Sequence, residues 1–495
     1  MKNWNRLGWF ALLICFGAML GCDRVEEVVE AKNNIERLLQ GDDRDVYKPI
    51  REGRIKLKPL ANGPELMTWN KFYEQRYQWH LKTYVRNFEK FGHRSAVWDD
   101  KVKSMLAEYA VFRRERTSAA FMQNLLDQVD HILELGCKDA RVISIKGILL
   151  YENQNAVDAA PYLKQGLELL EKSDYPKRYS YFVTSHLRYV YSGSRGLNNP
   201  YAAYQRAAMK YLGKAAQDRD YQDGHQRYYM HDFIQEFSNK NCCMPENAAV
   251  CMDEIIQSKQ IDSWISQVAR GYYHYAVGWK YRGDGYASTV AKENMNKFHK
   301  EIAEARKCLT QAHEIHPEFP EAAAKMVDVS MVIAADHDER LWLERTIAAH
   351  FDYLYAYDDL LNALRPRWGG SHDEMLKFGI ECLNTGRFDT RVPSRFLVSL
   401  FQIGSEMDNW RIPYQWPGIY DLIKQYFDGL LSEPNNKDYY DTNKSFYAVV
   451  AWAAGQHQDA HRMMQELGSK FDHRAYSYLE VNEEEVLNEI KVHVR

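Results

Sequence analysis

From Glu65 to the C-terminus, apolar side chains return every three or four residues, and no stretch alternates apolar and polar positions as a half-buried strand would. The pattern predicts helices that each bury one stripe. It is clearest between Tyr353 and Gly386. There Leu354, Tyr357, Leu360, Leu361 and Leu364 trace one stripe, and Pro366 ends it because proline has no amide to continue the ladder. A loop with Trp368, Gly369 and Gly370 follows. The next helix opens on Ser371 with Glu374 three residues on, a pairing that satisfies orphaned amides, and Gly386 closes it.

Upstream, the same reading predicts helices over 65–91, 98–114 and 118–135, with Gly136 as a C-terminal cap, then pairs over 140–152 with 156–172 and 176–192 with 200–216. Short connections make consecutive helices antiparallel neighbours. Three segments resemble tetratricopeptide repeats, in which small residues let two helices approach closely. Gly147, Leu150, Ala159 and Leu163 hold the packing positions in the first, and Ala448, Ala451, Gly455, Ala460 and Met464 hold them in the last. Between them, Ala305, Leu309, Ala312 and Pro317 match the second helix of a pair. A uniform period is absent. The expected fold is therefore all-α, a degenerate tetratricopeptide-like solenoid of antiparallel helix pairs with a concave face for partners.

The front of the chain reads differently. Lys2 and Arg6 precede an apolar run from Trp9 to Leu20, which is well short of the roughly 20 residues a spanning helix needs. The run ends in Met19, Leu20, Gly21 and Cys22. This resembles the lipobox of a bacterial lipoprotein. The resemblance implies cleavage after residue 21 and fatty acylation of Cys22, the palmitate-type anchor of the cell envelope, while Asp23 resembles an inner-membrane retention signal. Residues 23–40 form a weak amphipathic pattern suited to a stalk, and Pro49, Pro59 and Pro64 punctuate the polar text after it as a linker. The expected organisation is a signal over 1–21, a lipidated stalk and linker over 22–64, and helical regions over 65–260, 261–410 and 411–495.

Two blocks in the middle region carry a second resemblance: Arg282 to Val290, of form RGxGYAxTV, and Pro366 to Ser371, PRWGGS. With their surroundings they resemble a bacterial helical family catalogued as domain of unknown function 4034. That implies a repeat-like helical fold and supplies no reaction.

Composition narrows the partners. The formal charge of −4 comes from 64 basic against 68 acidic residues, and loss of Lys2 and Arg6 with the signal lowers it to −6, so nucleic acid is not an expected partner. Aromatic residues make up 13% of the chain, and 34 of them are tyrosines, suited to half-buried positions between helices or to a groove that stacks sugars or peptides. Cys242, Cys243 and Cys251 cluster near Pro245, where a local disulfide or buried thiols are the two readings, and the metal reading is weak because no paired CxxC occurs.

Candidate chemistry is sparse. Arg282, Gly283, Gly285 and Tyr286, and separately Arg365, Arg367, Trp368, Gly369 and Gly370, can be read as anion-binding loops flanked by cations or as tight structural turns. His457 and His461 lie four apart, a chelating interval, but the glutamate of HExxH is missing and no third ligand is legible. Ala335 to Arg340, ADHDER, is acidic in the same shallow way. No GxxxxGK[ST], GxSxG or calcium-loop pattern occurs, so neither cofactor nor metal nor catalytic residue is expected. The expected function is a membrane-anchored binding or scaffolding module for a protein, peptide or polymer. The alternatives are an enzyme on the same scaffold with its pocket near the glycine loops, and a spacer with no ligand. Intact mass spectrometry of the mature protein checks the anchor: the expected mass is that of residues 22–495 plus the acyl modification, and Cys22→Ser should leave the signal uncleaved and the lipid absent.

Overall fold

The computed structural model describes residues 45–114, 118–192, 199–222, 224–238, 245–258, 260–283, 285, 287–333 and 338–494. Among them every regular element is a helix and no strand occurs, so the fold is all-α. The signal, Cys22 and the stalk lie outside the described residues, as do Cys242, Cys243 and Tyr286. The chain forms two compact units. One is continuous, Glu65–Tyr353; the other joins residues 45–64 to Leu354–Arg495.

The continuous unit opens with the helices Trp69–Phe91, Asp99–Arg114, Ala119–Glu134, Ala140–Glu152, Ala156–Glu171, Lys177–Val190 and Tyr201–Ala215. Local chemistry sets these bounds. Thr68, Ser118 and Asp139 each accept a hydrogen bond from a first-turn amide, and Gly136 adopts φ +94°, the left-handed conformation that ends the third helix. Small residues then bring helices together. A Cβ on Gly147 would stand 2.7 Å from Leu163, and one on Gly166 would strike Ser144, so the Ala140–Glu152 and Ala156–Glu171 helices touch nearly backbone to backbone. Gly271, in the Ser263–Arg282 helix, does the same against Leu309 of Lys292–Ile315.

Three buried arginines cross-link this unit. Arg178 ion-pairs with Asp220 at 2.9 Å beneath the Trp79 ring, 4.4 Å away. Arg188 holds both oxygens of Glu236, at 2.7 and 2.9 Å, and Tyr181 donates to the same carboxylate. Arg227 donates to Glu321 at 2.9 Å and bonds His350, whose far side faces Asp352 at 3.2 Å. The ends of the unit also meet: the Phe351 amide donates to the Met67 carbonyl, and the Trp69 amide to Asp352, each at 2.8 Å.

In the other unit, Leu354–Ala363 and His372–Leu383 flank the short Pro366–Trp368 turn. Ser371 accepts from the Glu374 amide and donates to its carboxylate, and Gly386 takes φ +63°. Residues 45–64, in the segment expected to be a free linker, are instead tied in, because Val46, Ile50 and Leu60 bury apolar surface. The Lys58 amide also donates to Glu381 and Asn62 to the Thr385 carbonyl. Among the described residues no helix is long and apolar enough to cross a membrane.

Removing one member of a buried pair strands the other charge. Arg188→Met should therefore cost about 3–5 kcal/mol, read as a fall in the urea unfolding midpoint, and Arg188→Met with Glu236→Gln should recover part of that loss.

Candidate functional site

The Trp69–Phe91 helix places Tyr73, Arg76, Tyr77, His80 and Tyr84 at positions i, i+3, i+4, i+7 and i+11, so all five share one face. Where an ordinary helix would carry an apolar stripe, this face is aromatic and cationic. Ala110, Arg113 and Arg114 oppose it from the end of the Asp99–Arg114 helix, with Phe182 from Lys177–Val190, and together they line a cleft of about 110 Å³. That is a fraction of the roughly 300–1,000 Å³ of small-molecule pockets. It suits one functional group of a larger partner.

The charges in the cleft do not cancel. Arg76 is paired with buried Asp232 at 2.6 Å, and Arg114 with Glu74 at 2.7 Å while lying over the Tyr77 ring. Arg113 reaches over Phe182 with 5.8 Å to the ring centre and has no ion pair or hydrogen bond among the described residues. One guanidinium is left over. Beside it His80 is only 9% exposed, its ring packs 4.8 Å from Tyr84, and its Nδ1 is buried without a partner, as is the Arg76 Nε.

Burial, followed by the positive charge of Arg76, Arg178, Arg113 and Arg141, pushes His80 well below the ordinary histidine range. The imidazole is neutral there and can both donate and accept. Burial also raises the Tyr84 hydroxyl to about 12, so it stays protonated. The lining holds no nucleophile beside a base and no pair of convergent carboxylates. What it can do is hold an anionic group between guanidinium, imidazole and aromatic rings.

The residues singled out by sequence do not converge. Arg282 turns its guanidinium onto the carbonyls of Gly283 and Gly285, at 3.1 and 3.2 Å, across the C-terminal end of its own helix. In the second loop the amides of Trp368, Gly369 and Gly370 all return to carbonyls of Arg365 and Pro366. Gly369 takes φ +96°, and a side chain at Gly370 would run into the Leu364 carbonyl. Arg365 faces Glu406 at 3.6 Å and Arg367 donates to Asn362. Glycine here closes turns, and the amides an anion nest would offer are already used.

Cys251 is a free, fully buried thiol, and its candidate disulfide partners lie outside the described residues. From the ADHDER stretch, Asp338 is engaged by Arg306 and the Trp342 indole. His461 bonds Gln465 one turn on, whereas His457 stacks on His493. The cleft itself was missed by sequence. Its signal was the helical spacing of aromatic and basic residues in YEQRYQWHLKTY, read only as a helix.

Compared with models of known protein families and with curated proteins, the chain matches none.

Because the folded state keeps His80 neutral, the unfolded chain gains a proton below the ordinary value of 6.5 that the folded protein does not. The stability this supplies is complete above that value and is lost as pH falls toward the folded-state pKa. His231 and His350 are lowered by burial too. The urea midpoint should thus drop between about pH 7 and pH 5, and less steeply in His80→Leu; equal slopes would exclude His80 as a contributor.

Proposed function

We propose that this protein is a lipid-anchored module of the bacterial cell envelope that captures an anionic group of a peptide or polymer partner in the cleft between the Trp69–Phe91 and Asp99–Arg114 helices. The observation that supports it is the unpaired Arg113 guanidinium beside the unpartnered, buried Nδ1 of His80, walled by aromatic rings. A carboxylate or phosphate would accept from both groups while its carbon chain lay on Tyr73, which is 40% exposed. The anchor rests on the lipobox resemblance at Cys22. The helix pairs would act as a tetratricopeptide-like scaffold holding the cleft away from the bilayer. Kinship with the domain of unknown function 4034 family belongs to this proposal on the strength of its two sequence blocks alone.

Binding is favoured over catalysis because the cleft presents cations and rings without a reactive pair. The test uses short peptides that end in a free carboxylate, and their amidated counterparts, titrated into the full chain and followed by calorimetry. The free carboxylate should bind, and Arg113→Ala should weaken it about tenfold, the value of one charged hydrogen bond. Arg113 is exposed and carries no fold-bearing bond, so the variant should keep its helical circular dichroism. Equal affinity for wild type and Arg113→Ala, or for free and amidated peptides, would remove the cleft from this reading.

A further inference from the structure

His461 does not join His457 in a ligand set, but the helix Glu483–His493 brings His457 two other candidate ligands. Glu489 and His493 lie four residues apart on it, hence on one face, and His457 at the start of the His457–Leu467 helix meets them. One ligand atom from each of these three side chains lies within 4.8 Å of the other two. His457 Nε2 is already 3.7 Å from Glu489 Oε1. Two ligands of a tetrahedral zinc ion stand about 3.3 Å apart, given bonds of about 2.0–2.1 Å. That edge needs only a small closure.

We infer that His457, Glu489 and His493 form a binding site for a divalent transition-metal cation of the zinc class. The surroundings are those of a ligand set held in place. His493 Nδ1 bonds the Glu489 carbonyl oxygen at 2.8 Å, which makes that nitrogen the donor and leaves Nε2 with the lone pair a metal needs. Glu489 is oriented by Arg411, whose NH1 lies 2.9 Å from each carboxylate oxygen, and by the Trp452 indole at 3.1 Å. The Nδ1 of His457 is buried without a hydrogen-bond partner.

Two features oppose a cation and bound the affinity. Arg411 brings a positive charge to the same carboxylate, and the two imidazoles stack 4.2 Å apart at 18°, so one must turn about its Cβ–Cγ bond to aim its lone pair at the ion. His493 is exposed at the last residue of its helix, and turning it gives up the Nδ1 bond to the Glu489 carbonyl to water, a cost that further bounds the affinity. Two imidazoles and a carboxylate leave the fourth position to water, so the site is open to exchange.

Equilibrium dialysis of the full chain against Zn2+ near neutral pH, with metal analysis, tests this directly, alongside visible absorption of the Co2+-loaded protein. Wild type should retain one zinc ion per chain and show the intense d–d bands of low-coordinate Co2+. His493→Ala should weaken zinc by more than about tenfold, the loss that removing even an outer partner of a ligand causes, and abolish those bands without changing the helical circular dichroism. His461→Ala, which removes the neighbouring histidine that is turned elsewhere, should bind as wild type does. Absence of zinc from wild type, equal retention by His493→Ala, or loss in His461→Ala would each overturn the site.

Discussion

A buried guanidinium is what the continuous unit cannot do without. Arg178 has no exposed surface, and stripping such an ion of water costs several kcal/mol unless charge, hydrogen bonds and polarisable surface replace the solvent. Asp220 supplies the charge, the Tyr179 hydroxyl accepts a hydrogen bond, and the rings of Trp79, Tyr179 and Tyr221 supply the surface. Asp220 is in turn shared with Asn87 and Arg86, both on the Trp69–Phe91 helix. One carboxylate thus locks that long helix to the Lys177–Val190 helix. Tyrosine serves this arrangement twice: Tyr179 brings a ring and a hydroxyl to Arg178, and Tyr181 donates its hydroxyl to the Glu236 carboxylate that Arg188 holds.

The same economy explains where the cleft opens. With the inner face of Trp69–Phe91 committed to Trp79, Asn87 and their partners, the neighbouring face carries Arg76 and His80 at the edge of the network, where carboxylates run short. Asp232 pairs with Arg76, while Arg113 feels Glu152 and Asp232 only at a distance and forms an ion pair with no acid among the described residues. The unspent charge is a consequence of packing so many cations into one aromatic layer.

Helix existence and bounds were legible because they depend on neighbours in sequence: Asp139 and Ser371 cap within three residues, and Gly147 faces Leu163 across one short turn. Arginine partners were not. Arg227 finds Glu321 and His350, and Glu489 finds Arg411, across separations that no local pattern encodes. The glycine loops show the converse limit. GGS before a helix reads equally as an anion nest or a turn, and the outcome rests on whether the Gly369 and Gly370 amides are free, which is a matter of backbone direction. Residues 45–64 read as linker because Pro49, Pro59 and Pro64 dominate the text, while the three apolar anchors among them are too sparse to make a period.

The bond between the Phe351 amide and the Met67 carbonyl has a topological meaning. The unit from Glu65 to Tyr353 is, in chain terms, an insertion within its companion, whose own sequence is interrupted between Pro64 and Leu354. Were the insertion a flexible loop, joining its two ends would carry an entropic toll on the order of 5 kcal/mol. With Met67 and Phe351 clasped by that bond, the folded insertion holds its own two ends together and removes that toll from its host.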